Sequence, residues 1–178
     1  MSHVFVDESV RGGYLLAATT VAPVHLAVVR RCLRALLMPG ERRVHFQAES
    51  DPRRRKIVSE LTSLHVETVI YVARGRDDRA RAACLSRAVE DCRRLGAQRL
   101  VLESRGQAQD RKDRRTIAQV LAGGQHGLKD PMAYLHLQCY EEPALWIPDA
   151  VAWCYGAGGQ WRMRVGPLIK EIVDLRAT

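Results

Sequence analysis

The sequence predicts one α/β domain, a mixed sheet flanked by helices. Three observations carry that expectation. The 178 residues fall within the roughly 100–200 of a single domain, enough to bury about 70% of the unfolded surface without a disulfide or metal. Segments of strand and helix character alternate along the whole chain, with no internal repeat and no low-complexity linker. Two short apolar runs, Val4-Phe5-Val6 and Leu100-Val101-Leu102, pass directly into the carboxylates Asp7 and Glu103. Functional groups gather in this way where parallel strands end at their carboxyl edge.

The elements follow in order. Residues 3–8 and 14–22 read as strands joined by a turn holding Gly12-Gly13. A helix over 24–38 begins behind Pro23 and stops at Pro39-Gly40. Residues 42–46 read as a short extended piece. Asp51-Pro52 opens a second helix that runs to 64, with proline in the first turn where no amide donor is needed. Residues 65–73 are rich in β-branched side chains and read as a strand. Asp77 or Asp78 caps a helix that closes at Gly96. Residues 99–103 form a buried strand. Asp110 caps a helix ending before Gly123-Gly124. Residues 133–140 alternate as a strand, and a helix follows around 149–155. A final helix over 167–175 places Leu168, Ile169, Ile172 and Val173 on one face.

With the two helices of 23–64 set aside, the order is strand, strand, strand, helix, strand, helix, strand, helix. That is the ribonuclease H-like order. The domain therefore spans 1–178, with 23–64 as a helical insertion after the second strand.

Charge and composition narrow the partners. Lys and Arg number 28 and Asp and Glu 20, for a net charge of +8 and a pI near 9.7. A domain this basic attracts polyanions, and nucleic acid is the commonest inside a cell. Arg53 and Arg54 lie in the first turn of their helix, where cations oppose the macrodipole and so call for an anion nearby. Arg105, Arg111 and Arg114 form a second basic stretch just after Glu103. Aromatic residues are only 6% of the chain. Contacts to a nucleic-acid backbone are expected over base stacking. Trp153 and Trp161 fit helix packing.

The five cysteines contain no Cys-x-x-Cys pair, which excludes a zinc ribbon or a thioredoxin motif. Free cysteines point to a reducing, cytoplasmic setting. No apolar run approaches the roughly 20 residues of a membrane span, and residues 1–7 lack the character of a secretory signal. Gly12-Gly13 and Gly123-Gly124 lack the spacing of a nucleotide-phosphate loop.

Asp7 and Glu103, if their strands are parallel neighbours, meet at one sheet edge. Asp149, in the first turn of the helix after the last strand, would join them. Neighbouring carboxylates repel unless a cation lies between them. Mg²⁺ or Mn²⁺ suits such a set, because hard cations take oxygen ligands. His45 is the candidate for proton transfer, with an ordinary pKa near neutrality.

The segment Val4-Phe5-Val6-Asp7-Glu8-Ser9 resembles the opening of a large bacterial family of uncharacterised proteins with a predicted ribonuclease H-like fold. Its members begin with an apolar strand and Asp-Glu-Ser-Gly. They carry a Glu-x-His after the first inserted helix, an acid ending a middle strand, and an Ala-Asp on a late helix. Arg43-Val44-His45, Glu103 and Pro148-Asp149-Ala150-Val151-Ala152-Trp153 fall at those places in order. The resemblance implies a metal-dependent nuclease or phosphodiesterase that uses Asp7, Glu103 and Asp149 as ligands to one or two ions. Two departures mark this chain. Val10 stands where the motif has glycine. Arg43 stands where it has an acid, removing one candidate ligand for which Glu41, Glu49 or Glu8 would substitute. These departures motivate the alternative: a catalytically silent ribonuclease H-like module that binds nucleic acid or a protein partner.

Overall fold

Six strands form one mixed sheet in the order β5-β4-β1-β2-β3-β6. The computed structural model describes residues 2–123 and 132–176. β1 (His3–Ser9) and β2 (Tyr14–Val21) make an antiparallel hairpin, and β3 (Val66–Ala73) continues the meander. β4 (Arg99–Glu103) lies parallel to β1, and β5 (Ala133–Leu137) parallel to β4. The left-handed positions of the β1–β2 turn fall at Gly12 and Gly13, with φ of +75° and +130°. Glycine adopts these without steric cost, so Val10 is not asked to.

The residues before β3 form α1 (Pro23–Arg34) and α2 (Asp51–Thr62), as expected of an insertion after the second strand. The stretch between them is irregular rather than extended, and Phe46–Ala48 closes as a 3₁₀ turn. Phe46 is fully buried in the core beneath it, which pulls 42–46 away from any strand partner. α3 (Asp78–Arg94) is capped by the Asp77 carboxylate, which accepts the Ala80 amide at 3.1 Å. α4 (Gln107–Ala122) begins three residues before Asp110. Asp110 is therefore not its cap. Its carboxylate instead accepts the Ser104 hydroxyl and the Arg105 amide, closing the loop that leads from β4. Gly124, in the second glycine pair, lies outside the described residues.

α5 (Trp146–Ala157) and α6 (Gly159–Val165) follow a 3₁₀ turn at Pro143–Leu145. No expected element corresponds to α6, a helix of seven residues set off by the positive φ of Gly158 and Gly159. The expected final helix is a strand. β6 (Ile169–Asp174) pairs in parallel with β3, Ile172 beside Ile70 and Val173 beside Tyr71.

The sheet separates two cores. Phe5, Leu15, Ile70 and Val101 face a layer of α1, α2, α5 and α6. Val4, Val6, Leu16, Leu100 and Leu102 face α3 and α4. Among the described residues no helix is long and apolar enough to cross a membrane, and the five cysteines are free.

Candidate metal centre

Side chains alternate along a strand, and that period decides where the acids go. Phe5 faces the α5 layer, so Asp7 does too. Val101 faces the same layer, so Glu103 follows. β1 and β4 are parallel with Val6 beside Leu102, so Asp7 and Glu103 leave the sheet side by side. Helix α5 crosses the same face and carries Asp149 in its first turn. The three acids and His45 line one cleft with Arg43, Val44, Cys139, Leu145 and Trp146. The cleft holds about 70 Å³.

Asp7 is buried and Asp149 half-buried. Among the described residues no Lys, Arg or His forms an ion pair with Asp7, Glu103 or Asp149. Burial, and then the charges of Asp149 and Glu103, raises the Asp7 carboxyl well above the ordinary carboxylate range. Burial, followed by Glu103, pushes Asp149 up to about 7, against the Phe46 amide and the Arg43 charge. Burial is the larger cause of both shifts, and the crowding of negative charge adds to it.

The Glu8 amide donates to Asp7 Oδ1 at 2.7 Å. Among the described residues no three His, Cys, Asp or Glu side chains close on a point that could hold a metal by themselves. Mg²⁺ does not require such a cage. It usually binds through just one or two carboxylates and keeps several waters. The donor set, hard oxygen without an ion-paired base, fits a hard divalent cation.

Arg43 and Cys139 belong to this cleft; Arg43 stands at the expected position of a lost candidate ligand, whereas no sequence signal pointed to Cys139. Arg43 Nη1 donates to Cys139 Sγ at 2.7 Å. The guanidinium is within electrostatic reach of Glu103 and Asp149. Cys139 follows β5 and is buried, and burial raises its thiol despite the nearby arginine. His45 is exposed at the mouth of the cleft, just before the Phe46–Ala48 turn.

The substitute acids are engaged elsewhere or lie apart. Glu49 pairs with Arg53, Glu8 pairs with Arg81 and Arg105, and Glu41 is exposed outside the cleft lining. Glu8 is one residue from Asp7 and so faces the opposite layer. There it joins a buried network that the sequence reading missed. Arg81 is held bidentately by Asp113 at 2.8 and 2.6 Å and also reaches Glu8 and Tyr14. His136 Nε2 lies 3.2 Å from the same Asp113. One signal was available. Arg81 stands on the apolar stripe of α3 with Cys84, Leu85 and Ala88, where a charge must find a buried partner.

The basic residues divide. Arg53 donates to the Leu36 carbonyl and to Glu49. Arg54 donates to the Phe46 and Gln47 carbonyls and to Asp51, and lies 4.3 Å from the Trp153 ring centre. Both thereby hold the segment that carries Arg43 and His45. Arg105 reaches Glu8. Arg111 and Arg114 are exposed on α4, in the layer opposite the acid cleft. Trp153 packs edge-on against Phe46 and Trp161, as helix packing predicts.

No family model matches the chain, and no curated protein matches it. Its structure is similar to a chain of the solved PCNA:RNase HII complex from Archaeoglobus fulgidus. The TM-score is 0.55 at 14% identity, over 88% of this chain and 73% of that one. That likeness, with the sheet order above, makes the fold ribonuclease H-like α/β. It carries the fold, and not membership of the Asp-Glu-Ser-Gly family.

Proposed function

We propose that this chain is a divalent-metal-dependent nuclease that hydrolyses phosphodiester bonds of nucleic acid. One observation carries the reading: Asp7, Glu103 and Asp149, far apart in sequence, line one cleft at the carboxyl edge of two parallel strands. The likeness in fold to a ribonuclease complex supports the substrate class. The net charge of +8 supports a polyanionic partner.

In this reading Asp7, Glu103 and Asp149 hold Mg²⁺ or Mn²⁺. When bound, such an ion lowers the pKa of water and offsets charge on phosphoryl oxygens. His45, exposed at the cleft mouth, gives a proton to the leaving oxygen. Arg105, at the same sheet edge, contacts the backbone of the substrate. Arg53 and Arg54 steady the loop beneath it, and Arg111 and Arg114 extend the positive surface along α4. The free cysteines fit a reducing, cytoplasmic setting.

The test is cleavage of labelled RNA, DNA and hybrid duplex with Mn²⁺ or with EDTA. Wild type cleaves at least one of them with Mn²⁺ alone, and Asp7→Asn does not. Equal cleavage by the two proteins overturns the assignment. A second reading, a silent module that binds nucleic acid or a protein partner, is favoured by the arginine inside the acid cleft. It predicts salt-sensitive binding with no turnover in the same assay.

A further inference from the structure

Arg43 puts a permanent positive charge into a cleft built from carboxylates. Its bond to Cys139 Sγ at 2.7 Å holds it there, and its charge is within electrostatic reach of Glu103 and Asp149. Arg43 forms no ion pair with a carboxylate among the described residues, so it neutralises none of them directly. It shares the cleft with them.

We propose that the centre holds a single divalent ion, with the Arg43 guanidinium in the place of a second cation. This rests on the metal-dependent reading above and fixes its metal count. The charge in the cleft carries it. Three carboxylates and one guanidinium line the same cleft, and when the acids are ionised they leave a net charge of minus two, which one divalent ion neutralises. A second ion would make the cleft positive and would lie against a like charge.

Mn²⁺ stoichiometry tests this without any turnover. Free Mn²⁺ is followed by electron paramagnetic resonance during titration of wild type, Arg43→Lys, Arg43→Glu and Arg43→Gln, with Asp7→Asn as the background and circular dichroism as the check on folding. Wild type and Arg43→Lys bind one ion per chain above that background. Arg43→Glu, which makes the cleft minus four, binds two. Arg43→Gln takes up a second, weaker ion and decides the matter if Arg43→Glu does not fold. Two ions in wild type overturn the inference and leave the metal-dependent reading standing, as does a single ion in every folded Arg43 variant. No ion above background in wild type overturns that reading and this inference together.

Discussion

Asp7 and Glu103 each come one residue after a single register pair, Val6 beside Leu102, on adjacent parallel strands. Their carboxylates therefore share a face and an edge. Burial and the charges of Asp149 and Glu103 act on Asp7 together, so the acids destabilise the metal-free fold that holds them. Stability is given up for function in this way at many sites. Asp7→Asn should raise the unfolding free energy in EDTA at neutral pH, because a carboxyl whose pKa is raised in the folded state costs stability where the unfolded chain ionises it, and the neutral amide does not carry that cost. Saturating Mn²⁺ should then stabilise wild type and leave Asp7→Asn unchanged. Urea denaturation in both conditions checks this. An Asp7→Asn protein that is weaker in EDTA and still gains from Mn²⁺ contradicts it.

The same geometry explains what the sequence could and could not disclose. Asp7 and Glu103 were legible because each ends an apolar run, and strand parity does the rest. β6 was not. Leu168, Ile169, Ile172 and Val173 satisfy helical spacing, and a run this short fits either period. Pairing with Ile70 and Tyr71 of β3 decides it, and that contact is invisible locally. Arg43 was legible as a departure from a motif but not as a cleft residue. Its position depends on where the irregular segment after α1 falls, which the burial of Phe46 and the Arg54 bonds to the Phe46 and Gln47 carbonyls determine.

Beneath the sheet, the buried Arg81 network sets an acid limit on stability. Burial works to raise the Asp113 carboxyl, but hydrogen bonds from Arg81 and His136, with their charge, outweigh it and hold Asp113 at about 2. The folded pKa is thus below the unfolded value near 4. The stabilisation is present above pH 4 and is lost as the pH falls through 2. Urea titrations from pH 7 to pH 2 should show wild type losing on the order of 2 kcal/mol through this group. Asp113→Asn, weaker at pH 7, should lack that component. Parallel pH profiles for the two proteins would exclude it.

On the outer side of that layer, Arg111 and Arg114 are exposed on α4 and have no ion pair among the described residues. Released counterions make each phosphate contact worth a slope of about 0.7 for single strands and 0.9 for duplex in log K against log salt. If a substrate strand crosses the sheet edge onto α4, the double variant Arg111→Ala, Arg114→Ala lowers the slope by roughly 1.4–1.8. Fluorescence anisotropy across a salt series measures it. An unchanged slope confines the nucleic-acid track to the cleft side of the sheet.

The hairpin that carries Asp7 is seated on the helix that carries Asp149, and Gly156 permits the contact. A Cβ at Gly156 would stand 2.4 Å from the Arg11 carbonyl oxygen and 3.1 Å from both Arg11 Cβ and Leu15 Cδ1. The nearest of these is backbone, held by the neighbouring turn at Gly12 and Gly13, so the hairpin and α5 must separate. Alanine favours a helix over glycine by about 1 kcal/mol, yet overpacking of this kind costs about 1–3 kcal/mol. Gly156→Ala should therefore destabilise the fold. Because the shift moves β1 relative to α5, it should also weaken Mn²⁺ binding several-fold while the variant remains folded. Gly123→Ala is the control. Among the described residues the added Cβ there meets nothing closer than 3.5 Å, and both stability and Mn²⁺ affinity should hold. Equal behaviour of the two variants would mean that the hairpin and α5 position their acids independently.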